Sequence, residues 1–170
     1  QDYGKLDLNS AKAEDIKSRL LESGCWPFVK QRPYDVIANP ANTPKAIFIS
    51  AYASAPLVAD LDYVLQGKEA ELQAAVTALS KLTNGKVHVS VAKNGNSPLT
   101  GLSDITLHKV SGPHPSGNVG TQINKIDPIN KGEVVWTINA QDLVIIGELL
   151  LTGRCNAERI VALVGSLVKI

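Results

Sequence analysis

Apolar residues recur along this chain in two rhythms, one of three to four residues and one of two, and the switches between them mark out its elements. Ala13, Ile16, Leu20 and Leu21 fall at helical spacing behind Ser10, which suits an N-cap, with Glu14 and Asp15 near the helix start and Gly24 as its stop. The continuous apolar run at 46–50 predicts a strand, and residues 51–55 a turn into a helix that Pro56 opens. Leu57, Val58, Leu61, Val64 and Leu65 would share one face of that helix, and Gly67 would stop it. From Lys68, the stripe Leu72, Ala75, Val76, Leu79 and Leu82 predicts a further helix closed by Asn84 and Gly85. Val87, Val89 and Val91 alternate with His88 and Ser90, as a strand requires, and a polar loop follows at 93–101. Ile105, Leu107 and Val110 predict another strand, with His108 off its apolar set. Val119, Ile123 and Ile126 predict a helix ended by Asp127 and Pro128, and residues 134–138 a strand carrying Trp136. Asn139 then suits an N-cap, with Asp142 three residues on, for a helix over 140–151 that is apolar nearly all round and ends at Gly153. Residues 160–164 read as a last strand.

This order of strands and helices predicts an α/β fold, a mostly parallel sheet covered by helices, as a single domain over residues 1–170. An apolar fraction of 44% supports a core of its own. The 17 basic and 16 acidic residues are scattered, which argues against nucleic acid as a partner and against a polybasic membrane arm. The longest apolar run, 143–151, contains Gly147 and Glu148 and is too short for a direct membrane span, so any membrane connection is expected through partners. Cys25 and Cys155 lack CxxC spacing and a nearby histidine; buried free thiols in a reducing setting are the expectation, with a disulfide the alternative. With a start at Gln1 and no methionine, the chain is expected to be a piece of a longer protein whose N- and C-terminal parts are absent.

Two stretches carry candidate chemistry. Residues 112–121 read Gly-Pro-His-Pro-Ser-Gly-Asn-Val-Gly-Thr between a strand and a helix. One reading is a tight connection with Pro115 at the first helical position and the amides of residues 116–118 free. The other is an anion site at a helix N-terminus built from Gly112, His114, Ser116, Gly117, Gly120 and Thr121, although neither a P-loop ending nor a GxGxxG fingerprint is present. The second stretch, 25–34, gathers three of the eight aromatic residues with Lys30 and Arg32. Trp26 and Phe28 either cap the core there or form a recognition surface for a flat apolar ligand or a partner subunit. His88, His108 and His114 lack metal-ligand spacing, so no metal is expected. Ser116 lacks the GxSxG setting of a nucleophile, and no catalytic residue is assigned. Asp60 and Asp62, two apart, read as solvated charges.

Several runs together resemble the A subunit of the bacterial sodium-translocating NADH:quinone oxidoreductase. They are residues 21–26 (Leu-Glu-Ser-Gly-Cys-Trp) with Arg32 and Pro33, residues 45–49 (Lys-Ala-Ile-Phe-Ile), and residues 79–83 (Leu-Ser-Lys-Leu-Thr) with residues 85–87. The glycine-histidine block at 112–117 with Gly120 and Thr121, residues 135–139 (Val-Trp-Thr-Ile-Asn) with Gln141 and Asp142, and residues 151–154 (Leu-Thr-Gly-Arg) with Glu158 and Arg159 complete the match. The resemblance implies a middle portion of that protein, similar in architecture to the C subunit of Rnf complexes and to the FMN-binding domain of the complex I flavoprotein subunit. Those relatives hold FMN and NADH through a glycine-rich loop after the first helix and an Asn-Ala-Asp-Glu run after the next strand. Here these positions read Ser-Gly-Cys-Trp-Pro-Phe-Val-Lys (23–30) and Ser-Ala-Tyr-Ala-Ser-Ala-Pro (50–56). Bulky residues replace the glycines and the acids are gone, so this domain is expected to bind neither flavin nor NADH.

The resemblance further implies a peripheral subunit on the cytoplasmic side of the inner membrane, held by the other subunits of the complex, its membrane subunits included. Ubiquinone is the complex's substrate; flavins and iron centres lie in other subunits. If quinone or a partner touches this domain, Trp26, Phe28, Arg32 and Tyr34 are the expected contacts, since a quinone needs apolar walls and donors for its carbonyl oxygens. A pure docking scaffold, and a nucleotide-binding enzyme domain using residues 112–121, are the alternatives.

Overall fold

The computed structural model describes residues 1–165. A six-stranded sheet forms the centre, built from β1 (Lys30–Arg32), β2 (Val36–Ile37), β3 (Ile47–Ala51), β4 (Val87–Ala92), β5 (Thr106–Val110) and β6 (Val135–Asn139) in the order β2-β1-β6-β3-β4-β5. β6, β3, β4 and β5 run parallel, while β1 is antiparallel to both β6 and β2. The helices are α1 (Ala13–Glu22), α2 (Leu61–Val64), α3 (Glu69–Ser80), α4 (Val119–Ile126) and α5 (Ala140–Thr152). The fold is therefore α/β with a mostly parallel sheet.

The continuous apolar run of β3 reflects burial on both sheet faces. Ile47, Ile49 and Ala51 enter the large core shared with α1, α3 and α5, while Ala46 and Phe48 enter a smaller core with Ile123 of α4 and Val135. β6 divides in the same way, with Trp136 and Ile138 in the large core. Trp26 packs edge-on against Trp136, ring centroids 5.4 Å apart, and its indole N–H donates to the Ala38 carbonyl at 2.7 Å. On the α4 face, His88 stacks on Phe48 at 4.7 Å, and its Nδ1 meets His108 Nε2 at 2.9 Å.

Helices α3 and α5 touch backbone to backbone. A Cβ added at Gly147 would stand 1.8 Å from the Glu71 carbonyl oxygen, so only glycine fits there. The carbonyl belongs to a helix that is itself packed on the sheet through Leu72, Ala75 and Leu79, all buried, and it has little room to retreat.

Several local expectations are corrected. Lys12, not Ser10, caps α1: the Asp15 carboxylate accepts from the Lys12 amide at 2.8 Å, while the Ser10 hydroxyl donates to Asp7. Pro56 opens no helix, because Leu57 adopts a φ of 62° and residues 52–60 are irregular; the helix is confined to Leu61–Val64. Asp60 and Asp62 lie at the surface and form no carboxylate pair, as expected, and each also binds backbone: Asp60 caps α2 by accepting from the Asp62 amide, and the Asp62 carboxylate accepts from the Asn96 amide at 2.9 Å. Residues 160–164 form no strand. Their backbone partner is the side chain of Gln141, which accepts from the Ile160 amide and donates to its carbonyl, and Val161 and Leu163 are exposed. The antiparallel hairpin β1–β2 has no counterpart in the apolar pattern, since Lys30, Gln31 and Arg32 show no alternation.

Two outcomes follow for stability. Gly147→Ala is expected to cost about 2–3 kcal/mol by forcing α3 and α5 apart, with Gly120→Ala, which meets open space, as the control; urea unfolding measures both. Burial holds the pKa of His88 below its ordinary value, helped by His108 and Lys86 and opposed by Asp127, and burial also lowers that of His108. The unfolded chain therefore takes up protons more readily, so unfolding free energy should fall as pH drops below about 6.5, and His88→Phe should flatten that dependence.

Candidate functional site

From β3 the chain proceeds to β4 and β5 on one side, whereas β6 returns on the other. The loops leaving the carboxyl ends of β3 and β6 diverge, which opens a crevice where parallel sheets bind ligands. A cavity of about 1090 Å³ occupies this place. Ser50 of β3, Tyr52 just after it and Thr137 to Asn139 of β6 form its floor. Residues 119–121 of α4 close one side, and Phe28, Lys30 and Arg32 the opposite side.

The two candidate stretches thus meet at one cavity, but only in part. Phe28 and Arg32 line it. Trp26, two residues before Phe28, is turned into the core with 3% of its surface exposed, whereas Phe28 packs against the edge of that same core, partly buried, and also lines the cavity. Tyr34 sits in the turn between β1 and β2, 83% exposed and off the cavity lining. From the 112–121 stretch, Gly117, Gly120 and Thr121 reach the cavity. Gly112 and His114 remain outside, with His114 Nδ1 3.2 Å from the Ser54 hydroxyl. Ser116 opens onto an adjacent cleft of about 370 Å³ and donates to the Gly112 carbonyl at 2.8 Å.

The expected geometry of the 112–121 loop is also corrected. Helix α4 begins at Val119, not at Pro115, and the three amides expected to be free are all used within the chain. Ser116 N–H donates to the Pro113 carbonyl, Gly117 N–H to the Ser54 hydroxyl at 2.8 Å, and Asn118 N–H to the Pro115 carbonyl. Gly117 is required by close approach: a Cβ there would lie 2.3 Å from the Ser54 amide nitrogen. The proline-glycine run therefore docks this loop on the one that follows β3, which fixes two walls of the cavity together.

Arg32 lines the cavity, and Arg159, which lines a neighbouring pocket, touches two of the cavity's lining residues. Arg32 Nη2 lies 3.3 Å from the Asp35 carboxylate, while its Nε is buried without a hydrogen-bond partner. Arg159 pairs with Asp142 in the first turn of α5, and its guanidinium lies over the Phe28 ring at 5.4 Å. Burial raises the Asp142 pKa, against the opposing hydrogen bond from Arg159. Among the described residues no cluster of three or more His, Cys, Asp or Glu could hold a metal, and no helix is long and apolar enough to cross a membrane. Lys30, Tyr52 and Thr137 escape sequence reasoning as site residues, and so does the contact of Arg159 with the lining residues Phe28 and Asp142. Lys30 is visible in its stretch but has no predicted strand to orient it, and Arg159 gives no local signal, lying 17 residues from its partner.

Residues 11–155 match the family model described as the NqrA second alpha/beta domain. The chain belongs to that family. Curated relatives each bear the name of the A subunit of Na(+)-translocating NADH-quinone reductase. The protein from Cellvibrio japonicus is 39% identical over 163 residues, 96% of this chain and 36% of the relative. Those from Neisseria meningitidis serogroup B and Serratia proteamaculans are each 37% identical, over 96% of this chain and 37% and 36% of their own lengths. The chain thus spans little more than a third of these relatives. For the family, the matched segment runs from just before α1 to just after α5 and so contains every wall of the cavity.

Proposed function

We propose that this domain is a peripheral, non-catalytic part of a sodium-translocating NADH:quinone reductase, and that its switch-point cavity receives the head group of ubiquinone. The observation that carries this reading is the meeting of Phe28 and Arg32 with the α4 end in one cavity, at the place where α/β sheets take ligands. Phe28 and Val58 offer apolar surface to a flat ring. The guanidinium of Arg32 and the ammonium of Lys30, both on β1 and both in the cavity lining, offer donors to carbonyl oxygens. Trp26 and Tyr34 take no part, since one is core and the other lies off the cavity.

Flavin and NADH are excluded from the proposal because Pro27 and Phe28 stand on the wall where related domains keep glycines. A phosphate cradle at residues 116–118 is poorly supported, as those amides already have acceptors. The relatives' names supply the enzyme, and the cytoplasmic face and attachment through the other subunits, membrane subunits included, belong to the same proposal. A second reading, docking on a partner subunit, is favoured by the exposed Val36 and Ile37 on the edge strand β2, and by the exposed Leu57 and Tyr63 before and within α2.

Calorimetric titration of the chain with a short-chain ubiquinone, FMN and NADH tests the reading. Saturable heat is expected with the quinone alone; Arg32→Leu should weaken it about tenfold or more, the worth of a charged hydrogen bond, while Tyr34→Phe leaves it unchanged. Saturable FMN or NADH binding, or quinone binding indifferent to Arg32→Leu, would overturn it.

A further inference from the structure

Cys25 and Cys155 are 130 residues apart in sequence, yet their sulfurs stand 3.3 Å from each other, closer than two sulfurs in ordinary contact. The fold delivers them from separate elements. Cys25 begins the turn that carries Phe28, and Cys155 lies two residues beyond Gly153, the C-cap of α5. The expectation of two buried thiols holds for Cys25 alone; Cys155 is exposed. No third ligating side chain joins them among the described residues, which argues against a metal and leaves the two sulfurs to each other.

We infer that Cys25 and Cys155 are a reversible disulfide site, in which Cys155 reacts with a small external disulfide and Cys25 resolves the product. In the first step the Cys155 thiolate attacks one sulfur of a low-molecular-weight disulfide. That S–S bond breaks, one thiolate leaves and takes a proton, and a mixed disulfide remains on Cys155. In the second step Cys25 gives up its proton and attacks the Cys155 sulfur, and the second small thiol leaves. The two protein thiols lose two electrons in total, and the external disulfide is reduced to two thiols.

Exposure and acidity give the order of events. The buried Cys25 thiol is pushed up to about 11, chiefly by desolvation, so it is a poor first nucleophile and is shielded from a bulky disulfide. Within a mixed disulfide on Cys155, the same thiol faces its target at contact distance. Bond formation would also fix the root of the segment that carries Arg159 onto Phe28 and Asp142, joining it to the turn that holds Phe28. The redox state of the pair would then set how firmly that arginine is held against Phe28 and Asp142, two residues of the cavity lining.

The test is mass spectrometry of the reduced, folded chain after incubation with glutathione disulfide and an alkylating quench. The expected product has lost two hydrogens, gives a Cys25 to Cys155 cross-linked peptide, and returns to two free thiols with dithiothreitol. Cys25→Ser should retain one glutathione on Cys155, and Cys155→Ser should stay unmodified until it is unfolded. Wild-type chain that keeps both thiols, holds glutathione stably on Cys155, or links only between chains would overturn the inference. Adduct formation on Cys25 in folded Cys155→Ser would overturn the order of attack.

Discussion

Parallel pairing of β3 with β4 on one edge and with β6 on the other is the constraint from which the rest of the molecule follows. Ile47 registers with Val87 on one side and Trp136 on the other, and this places the carboxyl ends of three strands at one level. Both faces of β3 are buried, so a one-residue slip would send Phe48 into the large core and Ile47 and Ile49 into the small one. The register is thereby held by packing as well as by hydrogen bonds. Where the chain leaves β3 toward β4, and β6 leaves toward α5, the connections separate and the cavity appears between them.

Other features act by holding the cavity's walls to this frame. The contact of α3 with α5 at Gly147 fixes α5, and α5 in turn presents Asp142 at the cavity. The docking of Gly117 on Ser54 joins the loop before α4 to the loop after β3. On the opposite side, antiparallel β1 pairs with β6 and brings Lys30 and Arg32 to the rim. Trp26 anchors the base of that wall through Trp136 and the Ala38 carbonyl. One aromatic of the 3₁₀ turn therefore builds the support and the other, Phe28, faces the space.

Much of this frame was legible in the sequence where burial dictates spacing. The run at β3, the valine alternation of β4 and the stripe of α3 all pointed to elements that exist, because each is set by which residues meet the core. Legibility failed where backbone detail decides. Leu57 and Val58 fit a helical stripe, but the positive φ of Leu57 breaks the helix and leaves both exposed. The proline-glycine loop has the composition of a specific shape, yet its amides turn inward to Pro113, Ser54 and Pro115, which only the folded chain reveals. Trp26 and Phe28 could not be separated by type; the fold separates them by depth, with Trp26 inside the core and Phe28 at its edge on the cavity. Arg159 meets Phe28 and Asp142 only through tertiary packing, and so does Cys155 with Cys25.

The crevice between the ends of β3 and β6 is the proposed ligand site of this domain. Backbone amide NMR of the labelled chain during titration with a soluble ubiquinone analogue measures this directly. Saturable shifts are expected at Val119 to Thr121, at Thr137 to Asn139 and at Lys30 to Arg32, with the amides of Gly112, His114 and Tyr34 unmoved. Shifts confined to the exposed β2 edge and Tyr34, or no saturable shift at any cavity residue, would contradict it.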